Sequence, residues 1–148
     1  KHFTTVSVCL SKGLGAPAGS VLLGSMEFIR EARRWRKVTG GGMRQSGILA
    51  AAGLYALRHN VQRLAEDHFH ARLLQEGLSA LGYQTSAAQT NMVFVDMGDA
   101  DSEFFSRSMH CHGIKISSGR RIRLVTHLDV SRSDIERAIS AFAACRTL

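Results

Sequence analysis

The chain has 148 residues, 45% hydrophobic and 21% charged, with 14 Gly, one Pro and 3 Cys. That balance excludes disorder, because so apolar a chain can offset its ordering entropy by burial. Charges also interrupt every apolar run before the ~20 residues of a membrane-spanning helix. Lys and Arg outnumber Asp and Glu, 19 to 12, giving a net charge of +7, which suits nucleic acid, an anionic surface, or phosphate and carboxylate ligands.

Val6 to Leu10 alternates as a strand does and leads into the turn Ser11-Lys12-Gly13-Leu14-Gly15. Gly19 to Gly24 is uncharged and mostly apolar, the pattern of a buried strand. Met26 to Lys37 reads as a helix, with Phe28, Ile29, Ala32 and Trp35 on its core stripe and Arg30, Arg33, Arg34 and Arg36 outside it. Gly40-Gly41-Gly42 ends it. Arg44 to Arg58 is a second helix, apolar nearly all round and so expected in a core or at an interface with another chain. Val61 to Leu81 is a third, with Val61, Leu64, Ala71, Leu74, Leu78 and Leu81 inward and Arg63, Glu66, Asp67, Arg72 and Glu76 outward.

From Gly82 the elements shorten. Asn91 to Met97 predicts a strand, Asp101 to His112 a helix, and Ile114 to Ser117 and Arg121 to Thr126 two further strands. Ser131 or Ser133 caps a last helix; Ser133 has Glu136 at capping-box spacing. The expected division is a piece over residues 1–60 and a smaller α+β domain over 61–148. A domain opening inside its sheet, with no initial Met, suggests a fragment.

Lys12 is the first chemical candidate. A lysine at the end of a buried strand is partly desolvated, which favours the neutral amine that forms Schiff bases. On its own the position fits an exposed loop lysine better, since a single lysine between glycines is a weak signal. Arg123 offers a bidentate guanidinium for a carboxylate, or it is a strand arginine facing solvent, as expected of Arg120 and Arg121. Lys37 and Arg44 flank the triple glycine before a helix start, where anions are favoured; the alternative is a plain basic face. His127 follows Arg123 by four residues, on the same face if the strand continues, either lining a pocket or holding a structural hydrogen bond.

Metal and nucleic-acid readings are weaker. Cys9, Cys111 and Cys145 are an odd number without a close pair, which argues against a disulfide framework or structural zinc and predicts a reducing, cytoplasmic setting. His68 and His70 cannot clamp one ion from a helix, and His110-Cys111-His112 lacks further ligands. No metal site is expected. A basic nucleic-acid-binding module would interleave aromatics with its cations, yet the Arg30–Lys37 cluster contains only Trp35, assigned to the core.

The string Ser7-Val8-Cys9-Leu10-Ser11-Lys12-Gly13-Leu14-Gly15-Ala16-Pro17 resembles the cofactor-lysine segment of low-specificity L-threonine aldolases. Arg34-Trp35-Arg36-Lys37, Gly40-Gly41-Gly42-Met43-Arg44-Gln45, Asn91-Met92-Val93-Phe94-Val95 and Arg123-Leu124-Val125-Thr126-His127-Leu128-Asp129-Val130-Ser131 resemble the same family, in order. The resemblance implies the C-terminal half of a fold-type I, pyridoxal 5'-phosphate (PLP)-dependent, transferase-like α/β enzyme: the end of the large domain plus a small α+β domain. It implies Lys12 as the catalytic and cofactor lysine, Lys37 and Arg44 near the cofactor, and Arg123 with His127 at the substrate. The expected reaction converts L-threonine, L-allo-threonine and related β-hydroxy-α-amino acids to glycine and an aldehyde. The alternative is a β-eliminating lyase on the same scaffold. A cytoplasmic homotetramer is expected for the complete enzyme, and inactivity for this half alone.

Overall fold

The computed structural model describes residues 2–98 and 102–146. The chain divides into two compact units at Leu64/Ala65.

In the first unit β1 (Val6–Cys9) pairs antiparallel with β2 (Ser20–Leu23), Val6 opposite Leu23 and Cys9 opposite Ser20. The turn carrying Lys12 joins them. Helix α1 (Met26–Val38) starts at Ser25, whose Oγ accepts the Phe28 N–H at 3.2 Å. Glu27 in its first turn and Arg36 and Lys37 in its last suit the helix dipole. At its end Thr39 donates N–H and Oγ1–H to the Trp35 carbonyl, and Gly40 turns left-handed at φ +87°. Helix α2 spans Gly47–His59, starting later than the pattern suggested because Gln45 takes φ +42° and leaves Arg44 in a bend.

Two core assignments fail here. All four residues of β2 are exposed, so the 19–24 run is a strand but not a buried one. No residue of α1 is buried, and Trp35 is 57% exposed, its Nε1 donating to Glu31 at 3.4 Å. The apolar stripe exists, but nothing described in this unit covers it. Only Gly53 and Ala56 of α2 are buried. The core of the unit is small: Leu10, Leu14, Ala16 and Ala56, with Val8 and Leu64 packed against them.

The second unit has a conventional core. Helix α3 (Leu64–Ala80) is followed by the three-stranded antiparallel sheet β3 (Gln84–Thr85), β4 (Met92–Asp96) and β5 (Arg121–Val125), in that spatial order. Helix α4 (Ser102–Cys111) lies between β4 and β5 in the chain, and α5 (Arg132–Arg146) follows. The expected start of α4 at Asp101 lies outside the described residues. Val93, Val95, Ile122 and Leu124 alternate onto one sheet face and join Leu74, Leu78, Phe105, Met109 and Phe142 in one core. Tyr83 packs edge-on against Phe142 and donates its hydroxyl to that residue's carbonyl at 2.9 Å.

Three details depart from expectation. The buried stripe of α3 runs Asp67, His70, Ala71, Leu74 and Leu78, so Asp67 is inside, whereas Val61 before the helix is 45% exposed. Ile114–Ser117 is not a strand: Gly113 at φ +73° lets the Ile114 N–H cap α4 at the Met109 carbonyl, while the Ile116 carbonyl accepts from Ser106 Oγ. Ser131, not Ser133, caps α5. Its Oγ accepts the Asp134 N–H at 3.2 Å, and the Asp134 carboxylate accepts the Ser131 N–H at 3.0 Å, the reciprocal box with Asp in place of Glu.

The Ser131 hydroxyl and N–H, with Arg137 nearby, hold the Asp134 carboxyl below its ordinary range. A folded pKa below the unfolded one stabilises above the ordinary carboxylate range and is lost as pH falls through the folded pKa. Asp134→Asn therefore flattens the acid limb of a melting-temperature-versus-pH curve. An acid limb as steep as wild type contradicts this cap.

Candidate active site

The lysine turn is built by backbone hydrogen bonds over a small apolar base. The Leu10 N–H reaches the Gly19 carbonyl at 3.0 Å, Ala16 returns to Leu10 at 3.0 Å, and Gly15 closes on Lys12 at 2.8 Å. Gly15 takes φ +73°, which a residue with a side chain rarely adopts. Leu10, Leu14 and Ala16 point into the core, and Lys12 points away from it. Lys12 is exposed and its side chain makes no hydrogen bond or ion pair among the described residues, so the expected partial burial is absent from this unit. The Leu14 carbonyl accepts from Asn60 Nδ2 at 2.8 Å, across 46 residues of sequence. Nothing in the sequence pattern pointed to Asn60, because a single side-chain-to-carbonyl bond leaves no periodicity.

Lys37 lies in the last turn of α1 and Arg44 on the connection to α2, both exposed. A Cβ on Gly42 would fall 2.8 Å from Lys37 Nζ, so this glycine gives the ammonium room against the backbone. Helix α2 has no side-chain cap and no acid in its first turn, leaving its N-terminal N–H groups without an acidic neighbour of its own.

Arg123 and His127 belong to the second unit, and there the structure brings them together. Both line a cavity of about 590 Å³ alongside β5, with Lys115, Asp129, Asp134 and Arg137 among its polar residues. They do not share a strand face as expected, since β5 ends at Val125 and His127 sits in the loop beyond. Its Nδ1 accepts the Asp129 N–H at 3.3 Å, which places the proton of the neutral ring on Nε2. Arg121 is not simply solvated, for its guanidinium lies 4.6 Å from the Phe94 ring centroid. Arg137 is paired with Asp134 at 3.0 Å. Arg123 has no such partner among the described residues, and neither has Lys115, which the sequence reading passed over.

Among the described residues no group of three or more His, Cys, Asp or Glu gathers to hold a metal. No described helix is long and apolar enough to cross a membrane.

Residues 1–100 match the beta-eliminating lyase family. The chain belongs to that family. It is 48% identical over 144 residues to the low specificity L-threonine aldolase of Escherichia coli (strain K12), covering 97% of this chain and 43% of that protein. Low-specificity L-threonine aldolase 1 of Arabidopsis thaliana is 44% identical over 150 residues, covering 96% of this chain and 42% of its own length. The chain thus spans less than half the length of these relatives. A serine palmitoyltransferase from S. paucimobilis, solved with a bound PLP-myriocin aldimine, superposes with a TM-score of 0.78 at 18% identity, over 98% of this chain and 39% of its own. At that identity the likeness is one of fold, and it shows the fold-type I α/β architecture expected from the sequence.

The cysteine beside the turn is tuned by it. The Ser11 hydroxyl and N–H, with Lys12 close by, hold the Cys9 thiol below its ordinary range, whereas burial pushes the Cys145 thiol up. Near neutral pH, iodoacetamide should modify Cys9 well before Cys145, and Ser11→Ala should slow the Cys9 reaction. Peptide mass spectrometry follows both sites; an unchanged Cys9 rate would show that Ser11 does not support the thiolate.

Proposed function

We propose that this chain is the lysine-bearing part of a PLP-dependent aldolase. Its substrates are L-threonine, L-allo-threonine and related β-hydroxy-α-amino acids. The observation that carries the reading is Lys12: an amine without a partner among the described residues, on a turn closed by backbone bonds, within a chain 48% identical to a low specificity L-threonine aldolase. The residues present fit the cofactor. Lys12 would hold its aldehyde carbon, and Lys37, given room by Gly42, would stand with Arg44 for its phosphate. When bound, PLP supplies an electron sink for a carbanion at the substrate Cα.

The chain's own residues account for binding and orientation. Arg123 offers two parallel N–H donors to the α-carboxylate, and no described acid neutralises it beforehand. His127, fixed by Asp129, presents Nε2–H from the same cavity wall. In the net reaction the Cα–Cβ bond breaks, the hydroxyl hydrogen is lost as the aldehyde carbonyl forms, and a proton ends on Cα of glycine.

The family description favours a second reading, β-elimination on the same scaffold. Products separate the two, since aldol cleavage releases glycine and an aldehyde while β-elimination releases ammonia. We further propose a cytoplasmic homo-oligomer, a tetramer in the complete enzyme. The uncovered apolar faces of β2, α1 and α2 support that assembly.

Borohydride reduction of the PLP-loaded protein should fix the pyridoxyl group on Lys12. Lys12→Ala should abolish both that label and essentially all glycine formation. Label on another lysine, or near-normal turnover in Lys12→Ala, would overturn the assignment. Arg123→Lys keeps the charge but loses the fork, so it should weaken substrate binding by about 1–3 kcal/mol, seen as a raised KM. An unchanged KM would remove Arg123 from the carboxylate role.

A further inference from the structure

We infer that Asn60 is the positioning residue of the lysine turn, setting the direction in which Lys12 presents its amine. The inference rests on the reading of Lys12 as the cofactor lysine. The turn from Leu10 to Ala16 is anchored on one side by small apolar contacts, which are non-directional. Leu10, Leu14 and Ala16 meet Ala56 of α2, and a Cβ on Gly53 would come 2.9 Å from Leu10 Cδ1. Such packing fixes how close α2 and the turn approach, but not how the peptide planes between Lys12 and Gly15 are rotated.

Rotation is fixed by directional bonds. One is the Gly15 N–H to the Lys12 carbonyl at 2.8 Å. Another is Asn60 Nδ2 to the Leu14 carbonyl, also 2.8 Å, a side-chain bond that spans 46 residues. The peptide whose carbonyl Asn60 holds contains the Gly15 N–H, so the two bonds grip opposite ends of one rigid plane. Asn60 is itself well placed to act as a fixed donor. It closes α2 in helical conformation, its N–H bonded to the Ala56 carbonyl, and it is half-buried.

Gly53, Ala56 and Asn60 fall at i, i+3 and i+7, one face of α2. The first two let the helix come close, and the third supplies the directed bond. The Lys12 side chain has no hydrogen bond or ion pair among the described residues, so its backbone carries the positional information.

The test compares the full-length protein, freed of cofactor and then supplied with PLP, wild type against Asn60→Ala and Asn60→Gln. The rate at which Lys12 captures PLP is measured by borohydride trapping and peptide mass spectrometry, with Lys37 and Lys115 as internal references. The pH midpoint of the visible cofactor band and the kcat and KM for threonine are measured alongside. Asn60→Ala should slow capture at Lys12 roughly five- to tenfold, the scale of one lost hydrogen bond. It should also move the band midpoint and lower kcat more than it changes KM, while the reference lysines and the circular dichroism spectrum stay unchanged. Asn60→Gln, which keeps the amide, should recover part of each change. Should Asn60→Ala lose the wild-type spectrum, Asn60→Ser, with a hydroxyl too short to reach, is read in its place. Unchanged capture and midpoint in a folded variant overturn the role of Asn60 alone. Failure of wild-type Lys12 to capture PLP overturns the cofactor-lysine reading, and this inference with it.

Discussion

The first unit depends on the contact between one face of α2 and the turn that follows β1. A two-stranded ribbon of four residue pairs is marginal by itself, and the turn it supports has only three buried side chains. Without α2 those side chains would have little to pack against, and the Leu14 carbonyl would lose the donor it has in Asn60. Close approach requires small residues, and α2 supplies Gly53 and Ala56 at the point of contact. Elsewhere the same helix is apolar and exposed, with Ile48 at 78% and Tyr55 at 62%. Its composition therefore serves two surfaces, of which this chain shows one occupied.

The second unit positions its charges by a different device. Alternation along β5 sends Ile122 and Leu124 into the core, which forces Arg121, Arg123 and Val125 to the opposite face. Core packing at even-numbered positions thereby decides where the guanidinium at 123 stands. Local pairing then distinguishes the cations from one another. Arg121 lies over Phe94 and Arg137 is held by Asp134, while Arg123 keeps its donors available. A bidentate site for a carboxylate needs such a residue, because a guanidinium already engaged with an acid would have to give up that bond first.

Much of this was legible in the chain, and the failures share a cause. Hydrophobic period located every helix and four of the five strands to within a few residues, since it reports the face an element must bury. It does not report what covers that face. For this reason Trp35 and the 19–24 run were read as core, though no described residue of their unit packs over them. The 114–117 segment failed for another reason: its alternation suits a strand, but Gly113 spends the Ile114 N–H on the end of α4. Asp67 fell on the wrong side of α3 because polarity was taken as exposure. The lysine turn was legible from its string of residues. The bond that orients it was not, as Asn60 reads locally as nothing more than a helix cap.

On the proposed reading of Lys12 as a Schiff-base lysine, position and burial are separable requirements, and residues 2–64 meet only the first. The turn fixes where the amine stands through backbone bonds and a left-handed Gly15, yet Lys12 remains exposed. Burial is what favours the neutral, nucleophilic form of an amine, and this unit provides none over Lys12. The same unit leaves β2, the stripe of α1 and most of α2 open. On the proposed reading, geometry is built locally, by Asn60 and the glycines, while this unit leaves the lysine uncovered.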